Sequence, residues 1–305
     1  MSRRKRILLW SLLIVIGLPV ALLGALAGWA KLSDKTNGTI ISSGVARRYL
    51  LYVPKSYDAS KPTPLVVSLH PAAGWPAMQK NMSGWNRLAD EHGFIVVYPA
   101  GTNFPQVWST RPTGRDVQFI SDLLDKLESA YNIDPARIYV NGMSQGGGMT
   151  FLLSCKLAGR IAAVGEVAAA VEHPDSCGDA APVPVMAFHG TADRFAPYQG
   201  GISPVEPPGA APFPAIREWV AAWARRNQCS GDASEVAVSA HVRRLAYSNC
   251  APNADVVLHI VEGGGHSWPG AGDLPEQFFG STTHEIDATR LLWEFYVQHP
   301  RSPER

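Results

Sequence analysis

The stretch Arg137 to Leu153, RIYVNGMSQGGGMTFLL, constrains this chain more than any other. Ile138-Tyr139-Val140 is an apolar run that reads as a buried strand. It turns sharply through Gly142-Met143-Ser144-Gln145-Gly146 and continues as an apolar helix beginning near Ser144. Strand, tight turn and helix in direct succession are the setting that a G-x-S-x-G elbow requires. Such a turn holds the serine hydroxyl above a sheet, and its glycines leave room for close backbone passage. A bulky residue at Gly142 or Gly146 is expected to clash there. The competing reading is a glycine-rich helix start with a surface serine, so the rest of the chain has to decide.

A chain of 305 residues with 46% hydrophobic residues has a large core available, and one α/β domain of this size is ordinary. The net charge is +1, so no surplus points to nucleic acid or a polyanionic substrate. There is no internal repeat, no phosphate-binding loop and no zinc-type spacing of cysteine and histidine, so neither a metal nor a cofactor is expected.

At the amino end, Arg3, Arg4, Lys5 and Arg6 precede an essentially uncharged run from Ile7 to Ala30. That run exceeds the usual signal-peptide core of about 7 to 15 residues. It is long enough to span a bilayer, for which about 20 apolar residues suffice. Residues 1–30 therefore read as a membrane anchor or as a long cleavable signal ending at Gly28-Trp29-Ala30. Either reading puts the basic end inside and the rest of the chain outside the cytoplasm, periplasmic, extracellular or membrane-tethered. Residues 31–40 read as a tether and 41–305 as the folded domain.

Within that domain, Arg47 to Val53 suits an outer strand, and Pro64 to His70 and Phe94 to Tyr98 read as buried strands flanking a helix from Trp85 to His92. Val117, Ile120, Leu124, Leu127 and Tyr131 recur at helical spacing, which leaves Asp116, Asp122, Asp125 and Lys126 facing water. Ala162 to Ala169, Val183 to His189 and Val256 to Val261 are further strands. Tyr198 to Pro214, rich in proline and glycine, is a loop near the strand ends. Phe213 to Asn227, with Ile216, Trp219, Val220 and Trp223 inward, and Ile286 to Val297 are helices. Buried strands alternating with helices predict a mostly parallel sheet covered by helices on both faces.

Ser144, Asp193 and His266 each fall just past the carboxyl end of a predicted buried strand. In such a sheet those ends share one edge, where ligands bind. Their order, nucleophile, acid, histidine, is that of an α/β-hydrolase triad. Taken singly, Asp193 reads equally as a helix cap or turn residue, and His266 as a satisfied histidine in a glycine turn. Asp179 and Asp255 are the next candidates for the acid.

Five motifs carry a resemblance: Leu69-His70-Pro71-Ala72-Ala73-Gly74, Ile133 to Val140, Gly142-Met143-Ser144-Gln145-Gly146-Gly147, His189-Gly190-Thr191-Ala192-Asp193, and Gly263-Gly264-Gly265-His266-Ser267-Trp268-Pro269-Gly270. Over roughly Tyr49 to His299 the chain resembles the extracellular polyhydroxybutyrate depolymerase-like and feruloyl esterase-like enzymes of carbohydrate esterase family 1. The resemblance implies a single-domain α/β-hydrolase with Ser144 as nucleophile, Asp193 as acid and His266 as base. One departure matters: the family usually has glycine after the first histidine, whereas Pro71 carries no N–H. An oxyanion donor from that loop must come from Ala72 or a neighbour, paired with the Gln145 N–H. His70 itself reads as structural.

Attack by Ser144 on an ester, with a covalent acyl intermediate released by water, follows from these roles. Trp75, Trp108, Tyr198 and Trp268 are candidates for lining an acyl or sugar pocket, since aromatics offer flat apolar contact with polar edges; ordinary packing is the other reading of each. Polyhydroxyalkanoate oligomers, feruloylated or acetylated xylan and small lipidic esters are all candidate substrates. The membrane is a partner only if residues 1–30 stay attached. A serine peptidase would use the same triad, and a tethered binding module would have lost part of it.

Cys155, Cys177, Cys229 and Cys250 are an even number in a chain read as exported, the setting where disulfides persist. Three pairings are open, as is a set of buried free thiols. Cys155 with Cys177 and Cys229 with Cys250 each close a short local loop. The resemblance points the same way: the family often places one cysteine after the helix of Ala215 to Asn227 and another before the histidine strand.

Overall fold

The computed structural model describes residues 34–109, 114–169, 177–204 and 209–302. All but the first two of these lie in one unit, Thr36–Arg305. The segment read as signal or anchor lies outside the described residues, and no described helix is long and apolar enough to cross a membrane.

Six strands built around buried apolar runs form the centre of a ten-stranded sheet. They are β3 (Thr63–Leu69), β4 (Ile95–Pro99), β5 (Ile133–Met143), β6 (Ala163–Val167), β7 (Val185–Gly190) and β10 (Val256–Val261). All pair in parallel, in the order β4-β3-β5-β6-β7-β10. Antiparallel strands close both sides: β1 (Gly38–Ser42) and β2 (Val45–Tyr52) beside β4, and β9 (Val242–Tyr247) and β8 (Ser234–Ala237) beside β10. The sheet therefore begins at Gly38, inside the stretch expected to be a tether.

Because side chains alternate across a strand, each central strand feeds two cores. Leu65, Val67 and Leu69 meet the face covered by α3 (Arg115–Ala130), α4 (Gln145–Lys156) and α5 (Ile216–Arg226). Val66 meets the opposite face with Trp85 and Leu88 of α2 (Trp85–His92) and Leu292, Trp293 and Tyr296 of α7 (Ala288–Gln298). Two further helices, α1 (Pro76–Ser83) and the short α6 (Glu276–Phe279), were not anticipated.

One expectation about α3 needs correcting. Asp116 does not face water: its side chain is 2% exposed and lies 2.7 Å from the guanidinium of Arg47, itself 5% exposed. The Arg47 guanidinium also stacks over the Phe119 ring at 3.9 Å. The inward face of α3 is Asp116, Phe119, Ile120, Leu123, Leu124 and Leu127, so the helix is turned slightly from the face predicted by its apolar residues. The cause is the arginine on β2, which needs a buried counter-charge.

Candidate active site

The elbow forms as the glycines dictate. Ser144 sits at φ 54°, ψ −122°, a conformation strained for a residue with a side chain. It is held there by its N–H donating to Val167 O at 2.9 Å and its carbonyl accepting from Gly148 N at 3.0 Å. A Cβ on Gly142 would come within 2.3 Å of the Gly146 carbonyl, and one on Gly146 within 2.4 Å of Leu69 O. The close passage therefore involves β3 as well as the elbow's own turn.

At the ends of β7 and β10, Asp193 and His266 meet. His266 Nδ1–H donates to Asp193 Oδ2 at 2.8 Å, which leaves Nε2 as the acceptor nitrogen. The other carboxylate oxygen accepts the N–H groups of Phe195 and Ala196 at 2.8 and 2.9 Å, so the acid is fixed by its own turn. Burial would raise the Asp193 carboxyl, but the hydrogen bond and charge of His266, with His189 and the Ala196 N–H, hold it below its ordinary value. His189 closes the same turn by donating Nε2–H to Ala196 O at 2.7 Å, with its pKa lowered by burial. The His266 backbone N–H donates to Phe279 O at 2.6 Å, and the Phe195 ring lies 4.9 Å from the imidazole. Asp255 is at the opposite, amino end of β10, where its carboxylate accepts from His299 at 3.0 Å.

In the loop after β3, most N–H groups are already committed. Pro71 has none, Ala73 N–H is committed to Gln106 O at 2.8 Å, and Gly74 N–H to Pro71 O at 2.9 Å. The Ala72 N–H has no acceptor among the described residues. Gln145 is the first residue of α4, where N–H groups have no intrahelical acceptor and the helix dipole favours negative charge. His70 is structural, as expected: its Nε2 accepts from Gly101 N at 2.9 Å, so Nδ1–H donates to Pro71 O at 2.8 Å.

Over residues 47–197 the chain matches the family described as esterase PHB depolymerase. It is 30% identical over 230 residues to feruloyl esterase B of Piromyces equi, covering 72% of this chain and 42% of that protein. The chain thus spans under half the length of that relative. It is 28% identical over 311 residues to feruloyl esterase D of Neurospora crassa, covering 96% of this chain and 97% of that protein. The fold is that of an acetyl xylan esterase from Aspergillus awamori, with a TM-score of 0.60 at 16% identity over 75% of this chain and 93% of that one. The chain is a polyhydroxybutyrate depolymerase-like, feruloyl esterase-like α/β-hydrolase. As the family resemblance implied, the fold is a mostly parallel sheet covered on both faces.

Ser144, Gln145, Ala72 and His266 share one cavity of about 520 Å³. Its lining includes Trp75, Met78, Met82, Met143, Phe195, Phe213, Leu274 and Phe279. Among the described residues, His266 is the only titratable side chain that lines it. Of the four aromatics expected there, Trp75 alone contributes. Trp108 is buried against His70, Tyr198 packs in the core 6.2 Å from His189, and Trp268 donates its indole N–H to Thr289 Oγ1 at 2.9 Å in the opposite core. Each has a packing site nearer than the cavity, which sequence position does not reveal. Sequence reasoning missed Phe195 and Phe279; only the closeness of Phe195 to Asp193 pointed to it. Both expected disulfides are present, Cys155–Cys177 and Cys229–Cys250.

Proposed function

We propose that this chain is an extracytoplasmic serine carboxylic-ester hydrolase working through Ser144, His266 and Asp193. The observation that carries the reading is the 2.8 Å bond from His266 to the buried Asp193, made beside a cavity shared by His266 and the elbow serine. His266 Nε2 takes the Ser144 proton as the hydroxyl oxygen attacks the ester carbonyl. Asp193 holds the Nδ1–H tautomer and balances the imidazolium. The oxyanion is received by the Ala72 and Gln145 N–H groups, the second at a helix amino terminus. His266 then protonates the leaving alkoxide, and water, activated by the same imidazole, releases the acid from the acyl-serine. No step calls for a metal or cofactor.

Among the described residues the walls carry no carboxylate, lysine or arginine, which favours an uncharged, apolar acyl group. At about 520 Å³ the cavity suits a bulky one, an aromatic acyl or a short polyester segment, better than acetate. The two disulfides support an oxidising compartment outside the cytoplasm. Turnover of chromogenic esters of graded acyl size, set beside a peptide anilide, tests the reading. Hydrolysis of the bulkier acyl esters that vanishes in Ser144→Ala is expected. Anilide cleavage without ester cleavage would replace it with a peptidase.

A further inference from the structure

Trp108 is placed where neither substrate contact nor simple packing accounts for its bonds. It is 3% exposed and does not line the cavity. Its backbone N–H donates to the side-chain Oε1 of Gln145 at 2.8 Å, and its indole Nε1–H donates to the carbonyl of His70 at 2.8 Å. Its ring lies 4.8 Å from the His70 imidazole. One residue therefore holds both segments that carry the oxyanion donors: Gln145 at the start of α4, and the loop in which His70 and Pro71 precede Ala72.

Strand pairing cannot do this alone. The β3–β5 ladder ends at Leu69 opposite Gly142, and both donors lie beyond it. Trp108 is itself anchored from behind. The next N–H, Ser109, donates to Asp116 Oδ2 at 2.6 Å, and Asp116 is paired with the buried Arg47. The chain of contacts runs from a buried ion pair, through Trp108, to both sides of the hole.

Resting on the assignment of Ala72 and Gln145 as oxyanion donors, we propose that Trp108 is a positioning residue that sets the spacing between those two N–H groups. Hydrogen-bond donors stabilise a tetrahedral oxyanion only when preorganised around its position, and a displacement of about 1 Å costs on the order of a hundredfold in rate. The loss should fall on the transition state, leaving ground-state binding in the cavity alone.

The test compares Trp108→Phe, which keeps the ring but removes the indole donor, with Gln145→Met, which removes the Oε1 acceptor but keeps the Gln145 N–H. Each is assayed for kcat and KM on an ester and for affinity toward an alkyl boronic acid, whose tetrahedral serine adduct places an oxygen in the hole. Each variant should lose roughly 10- to 100-fold in kcat and a like factor in boronate affinity, with KM within about twofold. The double variant should lose less than the product of the single losses, because both act on one geometry. A residue needed only for stability would lower Tm and leave the boronate affinity of the folded protein unchanged. If Trp108→Phe does not fold, Gln145→Met decides. Wild-type kcat and boronate affinity in the folded variants overturn the inference alone, whereas a wild-type protein that binds no boronate removes the donor assignment and the inference together.

Discussion

The two halves of the proposed site are built by opposite means. The acid–base half, at the ends of β7 and β10, is made of side chains that bond to each other and to their own turn: Asp193 to His266, and Asp193 again to the Phe195 and Ala196 N–H groups. The oxyanion half, at the ends of β3 and β5, presents backbone N–H groups, and the side chains that matter there stand behind them. Chemistry that needs a particular functional group leaves a particular residue in the sequence. Chemistry that needs a backbone amide leaves only the constraints on its neighbours, here Gly142, Gly146 and the N–H that Pro71 lacks.

The largest effects should come from residues whose functional groups react. Ser144→Ala and His266→Ala should each lower ester kcat by at least about a thousandfold with the fold intact by circular dichroism, since such residues act as a unit. Asp193→Asn should be nearly as damaging, because an amide at that position favours the wrong imidazole tautomer. Near-normal turnover by the asparagine variant would break the comparison, since the acid–base half would then not depend on its side-chain chain of bonds.

The same contrast explains what could be read from the sequence. The central strands carry apolar runs such as Leu65-Val66-Val67 in β3 and Ile95-Val96-Val97 in β4, and β10 has the bounds expected of it, Val256–Val261. The elbow at Ser144 and the meeting of Asp193 with His266 were legible because motif and strand end coincide. Of the flanking strands, β2 was legible as an outer strand, but β8 and β9 were not: Glu235 in β8 and Arg243 and Arg244 in β9 are charges suited to an exposed edge, and they hide the alternation. Asp116 was misread because its partner Arg47 is distant in sequence and lies on β2. Trp108 reads from the sequence either as a cavity wall or as ordinary packing, and only the geometry shows its two donors turned to Gln145 and His70.

Stability should also divide between the halves. Cys229–Cys250 ties the end of α5 to the segment entering β10, the strand that delivers His266. Replacing both cysteines by serine should cost about 3 kcal/mol, the loop-closure value for a bridge of this span, and lower Tm before it lowers kcat. An unchanged Tm on calorimetry would show that this bridge does not brace the acid–base half.

A similar loss should appear with acid. His259 of β10 is buried against Phe188, and burial, with Arg244 adding to it, lowers its pKa to about 4. An unfolded imidazole takes a proton near 6.5 while the folded one does not until about 4, so the unfolded state binds more protons between those values. Stability should be level above about pH 6.5 and fall by up to roughly 3 kcal/mol as the pH drops toward 4. His189, lowered by burial, adds to the same trend. Urea titrations of His259→Phe should show a shallower fall than the wild type; an identical slope would assign the acid sensitivity elsewhere.

The central claim is that Ser144 is a nucleophile activated by the His266–Asp193 pair. Stoichiometric reaction with a fluorophosphonate, read by intact mass and peptide mapping, measures it most directly. The account predicts one adduct per chain, on Ser144, forming far more slowly in His266→Ala and in Asp193→Asn. An adduct on another serine, or labelling of Ser144 at the same rate without His266, would contradict it.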